Sequence, residues 1–209
     1  MSAIVVEINP KNPPERKILQ VVEMIKEGAI VVYPTDTVYG LGCDIFHPKA
    51  IQRLCRIKGV EPSKANLSFI CYDLSDLSLY AKNISNSLFK LMKRALPGPY
   101  TFILEASSEV PKILHYKKKQ IGIRIPDHKV PREIVRLLGN PIITTSLKRD
   151  DEIAEYPTEI SEIVDLYGKI VDVIIDSGSC GNTPSTIIDG TTDNFEVVRY
   201  GAGKVEELL

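Results

Sequence analysis

No two of the four cysteines, Cys43, Cys55, Cys71 and Cys180, form a CxxC pair, and their spacing fits neither a zinc site nor a disulfide framework. A reducing, cytoplasmic setting is therefore expected. No segment approaches the roughly 18 consecutive apolar residues of a membrane span. The first residues lack a basic stretch followed by a long apolar run, so the chain is expected to be neither secreted nor membrane-spanning. Histidine is scarce, with only His47, His115 and His128, and neither a GxGxxG turn nor a Walker A lysine loop is present. These absences disfavour triad hydrolases, zinc enzymes and P-loop nucleotidases, and no protein-held metal is expected.

What is present suits one ordinary domain. The chain has 209 residues and 23.3 kDa, with 44% hydrophobic and 25% charged residues. A compact chain of that length buries roughly 70% of the surface its unfolded form exposes, enough for a core without staples. No Ser/Gly-rich linker, repeat or low-complexity tract interrupts it, so residues 1–209 read as a single α/β domain. The net charge of −1 conceals a segregation. Residues 112–136 hold eight bases against two acids, and residues 150–176 hold nine acids against Lys169 alone. Charge alone admits two readings, a polyanion-binding face or two solvated surfaces.

Apolar periodicity alternates between the helical and the extended repeat. Ile18, Val21, Val22 and Ile25 recur at helical spacing before Gly28, so a helix ends where a strand over residues 29–33 begins. His47-Pro48-Lys49 opens a second helix through Ile51, Leu54 and Ile57, and residues 67–71 read as another strand. Asp73 and Ser85 are expected helix caps, the second leading a helix that turns Leu88, Phe89 and Met92 to the core before Pro97-Gly98-Pro99. Further strands are expected at residues 101–105, 121–125, 142–145, 173–176, 186–189 and 195–199, with helices near 131–138 and 159–167. The short spacing of the last strands suggests antiparallel neighbours and a mixed sheet.

The segment Pro34-Thr35-Asp36-Thr37-Val38-Tyr39-Gly40-Leu41-Gly42 follows a buried strand and reads as a loop. Ligands gather at the carboxyl ends of strands in open α/β sheets, although a tight Asx or ST turn explains the same residues as well. Arg124, at a strand end, is either a surface ion pair or a fork for a carboxylate. Serines and threonines at strand ends are either backbone caps or ligand contacts. Lys117, Lys118 and Lys119 are either a solvated turn or a track for a nucleic-acid backbone.

Six motifs in order change the weight of these readings. They are PTDTVYGLG, then Pro97-Gly98-Pro99-Tyr100-Thr101, Gly122-Ile123-Arg124-Ile125-Pro126, Thr144-Thr145-Ser146, Pro184-Ser185-Thr186 and Val198-Arg199-Tyr200-Gly201. The series, spanning about residues 18–203, resembles the YrdC/YciO family, and the run from Leu67 to Ser75 with the PGPYTFIL and IGIRIP stretches resembles its YciO branch. The resemblance implies a twisted open sheet flanked by helices. It also implies threonylcarbamoyl-AMP synthase chemistry, a nucleotidyl transfer. In it L-threonine, bicarbonate and ATP, with Mg²⁺, give threonylcarbamoyl-adenylate and pyrophosphate for tRNA modification. It implies substrate contacts at Thr35, Tyr39, Arg124 and Thr145, nucleotide contacts at Lys58, Thr101, Ser146, Ser185, Thr186 and Arg199, and catalytic roles for Lys58 and Ser146. Positioning and cationic neutralisation would carry the reaction.

Two departures from the family pattern matter. Where the family has Lys-x-Arg this chain has Lys58-Gly59-Val60, and where it has Ser-x-Asn this chain has Ser146-Leu147-Lys148. A weakened synthase is expected. The alternatives are a non-catalytic module binding tRNA or double-stranded RNA through Lys117, Lys118 and Lys119, and a nucleotidyltransferase with another acid substrate. Thr35, Tyr39, Arg124 and Ser146 are expected to converge on one cleft, and Arg124→Ala is expected to leave the fold intact.

Overall fold

The computed structural model describes residues 2–62, 64–65, 67–114, 119–147, 156–192, 194–206 and 208. Lys117, Lys118 and Lys148 lie outside this set. Eleven strands form one open mixed sheet: β1 Ile4–Glu7, β2 Val31–Tyr33, β3 Gly40–Asp44, β4 Ser68–Ile70, β5 Ala81–Lys82, β6 Tyr100–Ala106, β7 Gln120–Arg124, β8 Ile142–Ser146, β9 Val173–Asp176, β10 Thr186–Asp189 and β11 Glu196–Arg199. Among the described residues six α-helices flank it: α1 Glu15–Lys26, α2 Pro48–Lys58, α3 Leu77–Tyr80, α4 Asn86–Ala95, α5 Lys129–Leu138 and α6 Ile160–Tyr167. The strand order is β1-β9-β2-β3-β8-β4-β7-β6-β10-β11, with β5 paired to β6.

Strand alternation sorts the core into two layers. Val31, Tyr33, Ile70, Ile142, Val173 and Ile175 face α1 and α5, whose buried stripes include Ile18, Val22, Ile134 and Val135. Val32, Leu41, Phe69, Phe102, Ile123 and Ile143 belong to the opposite layer with the buried residues of α2, α3, α4 and α6. Local signals fix the helix ends. Ser85 Oγ accepts from Leu88 N at 3.3 Å and Asp73 Oδ1 from Ser75 N at 2.8 Å, as the sequence predicts. Gly59 ends α2 in the left-handed region, at φ 71°.

Three expectations need correction. Residues 40–42 are not loop but the start of β3, buried between β2 and β8. Glycine hides this strand from an apolar-pattern reading, and packing requires it, since a Cβ on Gly42 would run into the Ile143 carbonyl and lie 3.1 Å from the Tyr33 ring. Phe89 is 42% exposed, because Leu88, Leu91, Met92 and Ala95 form the buried i, i+3, i+4, i+7 stripe of α4. The last strands do not all neighbour one another. β10 and β11 pair antiparallel, whereas β9 lies between β1 and β2, parallel to both.

Candidate functional site

On the sheet face opposite the Phe69, Phe102, Ile123 and Ile143 layer, a cavity of about 280 Å³ opens where strands from both halves of the chain end. Its wall includes Tyr39, Lys58, Thr101, Arg124, Thr145, Ser146, Ser185 and Arg199. These eight come from seven segments. Tyr39 immediately precedes β3, Lys58 ends α2, Thr101 is the second residue of β6 and Arg124 ends β7. Thr145 and Ser146 end β8, Ser185 immediately precedes β10 and Arg199 ends β11. The cluster can form because β7 and β8 both flank β4, and β6 pairs with both β7 and β10. Gly122, two residues before Arg124, lets its neighbours close in. A Cβ there would overlap the Ser68 hydroxyl and approach Thr101 Cγ2 at 3.3 Å, and both Ser68 and Thr101 line the cavity.

Two of the sequence-predicted residues are placed differently. Thr186 is fully buried, facing away from the cavity between the wall residues Ser185 and Ile187. Its Oγ1 donates to the Gly203 carbonyl at 2.6 Å and accepts from Gly201 N at 3.0 Å, which ties down the turn after β11. Thr35 stands behind the wall. Its hydroxyl donates to the Val38 carbonyl at 2.6 Å and accepts from Thr37 N at 3.1 Å and from Arg124 Nη2 at 3.3 Å. One donor and two lone pairs are thereby used within the protein. Lys119 is exposed and is not part of the cavity wall.

The other hydroxyls and cations form a connected surface. Lys58 Nζ reaches the Ser146 carbonyl at 3.1 Å, joining α2 to the end of β8. Thr101 Oγ1 and Ser185 Oγ are 2.8 Å apart, and Arg199 Nη2 donates to the Ser185 carbonyl at 2.7 Å. Tyr39 turns its hydroxyl away to the Gly178 carbonyl at 2.6 Å, and burial raises its pKa well above the usual phenol value. Partial desolvation lowers the pKa of Arg199 and the nearby Arg124 charge adds to this, yet a guanidinium stays cationic at neutral pH. Among the described wall residues there are four cations, Lys58, Lys64, Arg124 and Arg199, and no carboxylate. This lining suits an anionic ligand.

Arg124 is the most constrained of these groups. Its Nη2 donates to Asp36 Oδ1 at 2.5 Å and to Thr37 Oγ1 at 2.6 Å, and both charged side chains are about nine-tenths buried. Arg124 Nε and Asp36 Oδ2 have no hydrogen-bond partner among the described residues. Asp36 is the ion-pair partner of this wall residue that pattern reasoning passes over, because an Asp between two threonines also reads as an Asx turn. Cys180 donates weakly to the Thr35 carbonyl at 3.6 Å. Burial is the main cause pushing its thiol up to about 11, so it is no thiolate nucleophile at neutral pH. Among the described residues no cluster of His, Cys, Asp and Glu is arranged to hold a metal ion, and no helix is long and apolar enough to cross a membrane.

Val60 forms part of the cavity wall. The place where the resemblance implies an arginine is therefore a cavity-lining position filled by an apolar side chain. The left-handed Gly59 turns the chain so that Val60, Lys64, Ala65 and Leu67 all reach the wall. Lys64 adds a cation there, paired with Glu61 at 3.1 Å and largely exposed.

Comparison with known proteins agrees with this architecture. The YciO protein of Escherichia coli strain K12, whose name states no activity, is 43% identical over 204 residues, covering 97% of each chain. Its crystal structure superposes with a TM-score of 0.91 at 41% identity, covering 99% of this chain and 100% of that one. A threonylcarbamoyl-AMP synthase of Vibrio vulnificus strain YJ016 is 32% identical over 186 residues, 87% of this chain and 97% of its own length. The crystal structure of Pyrococcus abyssi Sua5 complexed with L-threonine matches with a TM-score of 0.88 at 29% identity, covering 98% of this chain and 59% of the longer one. The Sua5/YciO/YrdC family model, described as telomere recombination, matches residues 23–201. With its mixed open sheet and its six ordered motifs, the chain belongs to the Sua5/YciO/YrdC family.

Proposed function

We propose that this chain is a threonylcarbamoyl-AMP synthase of reduced rate, joining L-threonine, bicarbonate and ATP into threonylcarbamoyl-adenylate and pyrophosphate for tRNA modification. The observation that carries the reading is the single cavity in which Arg124 lies with Lys58, Arg199 and the strand-end hydroxyls. Relatives bearing the synthase name at 32–34% identity, and a Sua5 relative whose structure holds L-threonine, support it.

In this reading the threonine amine and bicarbonate form a carbamate with loss of water, and the carbamate carboxylate attacks the α-phosphorus of ATP as pyrophosphate leaves. Arg124 holds the threonine carboxylate, offering a permanently charged planar fork. Lys58 and Arg199 meet the phosphates, while the Thr101, Ser146 and Ser185 hydroxyls fix their orientation. The wall has cations and no carboxylate, which fits a polyphosphate that brings Mg²⁺ on its own oxygens; the ion would neutralise charge on the leaving pyrophosphate. The protein's part is positioning and charge neutralisation. Val60 supplies no charge to the transition state, and a missing phosphate-clamping cation costs on the order of 2–4 kcal/mol there. That corresponds to a rate lowered by tens to hundreds of fold.

Threonine-dependent pyrophosphate release in the presence of ATP, Mg²⁺ and bicarbonate tests the reading. A slow release that requires threonine is expected. Release that is absent, or equal without threonine, overturns it.

A further inference from the structure

We propose that the groove between the first turns of α1 and α5 is a second ligand site, which takes a monoanionic carboxylate on a short apolar stem and recognises it through Arg132. The groove has a volume of about 390 Å³, and its described wall shares no residue with the cavity at the ends of β7 and β8. Arg132 is held ready there. Its Nε donates to the Tyr72 carbonyl at 3.1 Å, and its Cζ lies 5.2 Å from the centre of the Tyr72 ring, so one residue fixes both the direction and the plane of the guanidinium. Among the described residues nothing bonds its Nη1 or Nη2. Paired N–H donors in a fixed plane match the two oxygens of a carboxylate. Lys129 lies three positions before Arg132, on the same side of α5 and in the same wall. Its Nζ donates to the Lys11 carbonyl at 2.7 Å, which occupies one of its three donors. Pro13 and the buried Ile18 line the groove alongside the Tyr72 ring and offer an apolar stem its surface.

The acids around Arg132 set the charge of the ligand. Glu133, in the wall, is occupied by Arg136, whose Nε and Nη2 lie 2.9 Å and 2.8 Å from its Oε2. Two more carboxylates belong to the segment that carries Tyr72. Asp76 Oδ2 accepts from Tyr72 N at 3.0 Å, and Asp73, which shares a neighbouring groove with Arg132, accepts from Ser75 N at 2.8 Å. His128, which caps α5, is pushed toward its neutral form by burial, and the exposed Asp127 lies outside the wall. Glu15 remains, a wall carboxylate with no ion pair among the described residues. Lys129 and Arg132 therefore face one unmatched carboxylate in the wall, with the charges of Asp73 and Asp76 beyond it. One added negative charge balances the wall, whereas a dianion overshoots it and meets like charge on both sides.

Titration of the full chain followed by amide NMR shifts tests the proposal, because it reads this groove and the Arg124 cavity separately. Butyrate is expected to shift the Ile18, Tyr72 and Arg132 amides saturably. Its neutral isostere butyramide and the dianion sulfate should bind there at least about tenfold more weakly. Arg132→Gln and Arg132→Lys should each weaken butyrate at the groove by about tenfold, since neither supplies a charged planar fork. Arg94→Gln, on the exposed side of α4, should leave it unchanged. A terminally blocked Ala-Glu-Ala peptide, whose one carboxylate is the glutamate side chain, distinguishes the sources of the group. Tighter binding than butyrate supports the proposal with an acidic side chain of a partner as ligand, and weaker binding supports it with a free carboxylic acid. In the wild-type protein, groove amides that stay unmoved by both butyrate and the peptide overturn the proposal, as does an equal response to butyramide or a tighter one to sulfate. These outcomes hold whether or not the variants fold. A folded Arg132→Lys protein that binds butyrate like the wild type overturns the role of the fork.

Discussion

At the scale of single residues, the roles of Arg124 and Val60 come from burial and direction more than from residue type. As a strand-end arginine Arg124 reads as expendable to the fold, yet its removal would leave the buried Asp36 carboxylate without its ion-pair partner. Arg124→Ala is therefore expected to lose about 3–5 kcal/mol of stability by chemical denaturation. The double variant with Asp36→Ala should lose clearly less than the two single losses added together, and additive losses would show that the pair is not coupled. Val60 gives the opposite case, a cavity-lining position whose apolar side chain is costly only to the proposed chemistry. Because it lines the cavity, Val60→Arg should raise the threonine-dependent pyrophosphate rate by about tenfold or more, read as kcat/KM. An unchanged rate would mean that a different deficit limits the reaction.

At the scale of elements, the start of α5 shows how a cap and a titration meet. His128 is the N-cap, its Nδ1 accepting from Val130 N at 3.3 Å, and burial lowers its pKa below the ordinary 6.5. The folded protein therefore binds this proton less readily than the unfolded chain does. Stability contributed by neutral His128 is complete above about pH 6.5 and is lost as pH falls from there through the lowered folded value. Denaturation midpoints followed from pH 7.5 to pH 5 should decline over that window, and His128→Asn, which retains a capping acceptor, should decline less. Equal slopes for both proteins would remove His128 as the cause. The helices themselves are legible in the sequence, because apolar spacing, Ser85, Asp73 and Gly59 are local signals. β1 and β3 are not. β1 has only Val6 buried on a sheet edge, and β3 is built on Gly40 and Gly42, whose value lies in what packs against them.

At the scale of the whole molecule, the site is a product of strand order. The wall joins residues from position 38 to position 199, so no smaller part of the chain contains it. Ligand binding should accordingly couple to global unfolding. If threonine is a substrate, L-threonine at 100 times its dissociation constant should add about 2.7 kcal/mol to the unfolding free energy. A thermal midpoint that does not move at saturation would contradict binding to the folded state alone. The sequence by itself determined the α/β class, most strands and helices, the family and eight of the wall residues. Each of these is carried by short-range periodicity or by a motif a few residues long. The tertiary structure decided that Thr186 faces away from the cavity, that Thr35 spends its hydroxyl inside the loop, and that Asp36 meets Arg124. It also decided that β9 sits between β1 and β2 while β10 lies beside β6. The physical reason is range. A contact between residues 88 positions apart depends on which strands pair and in what register, and a one-residue shift in register turns every side chain to the other face.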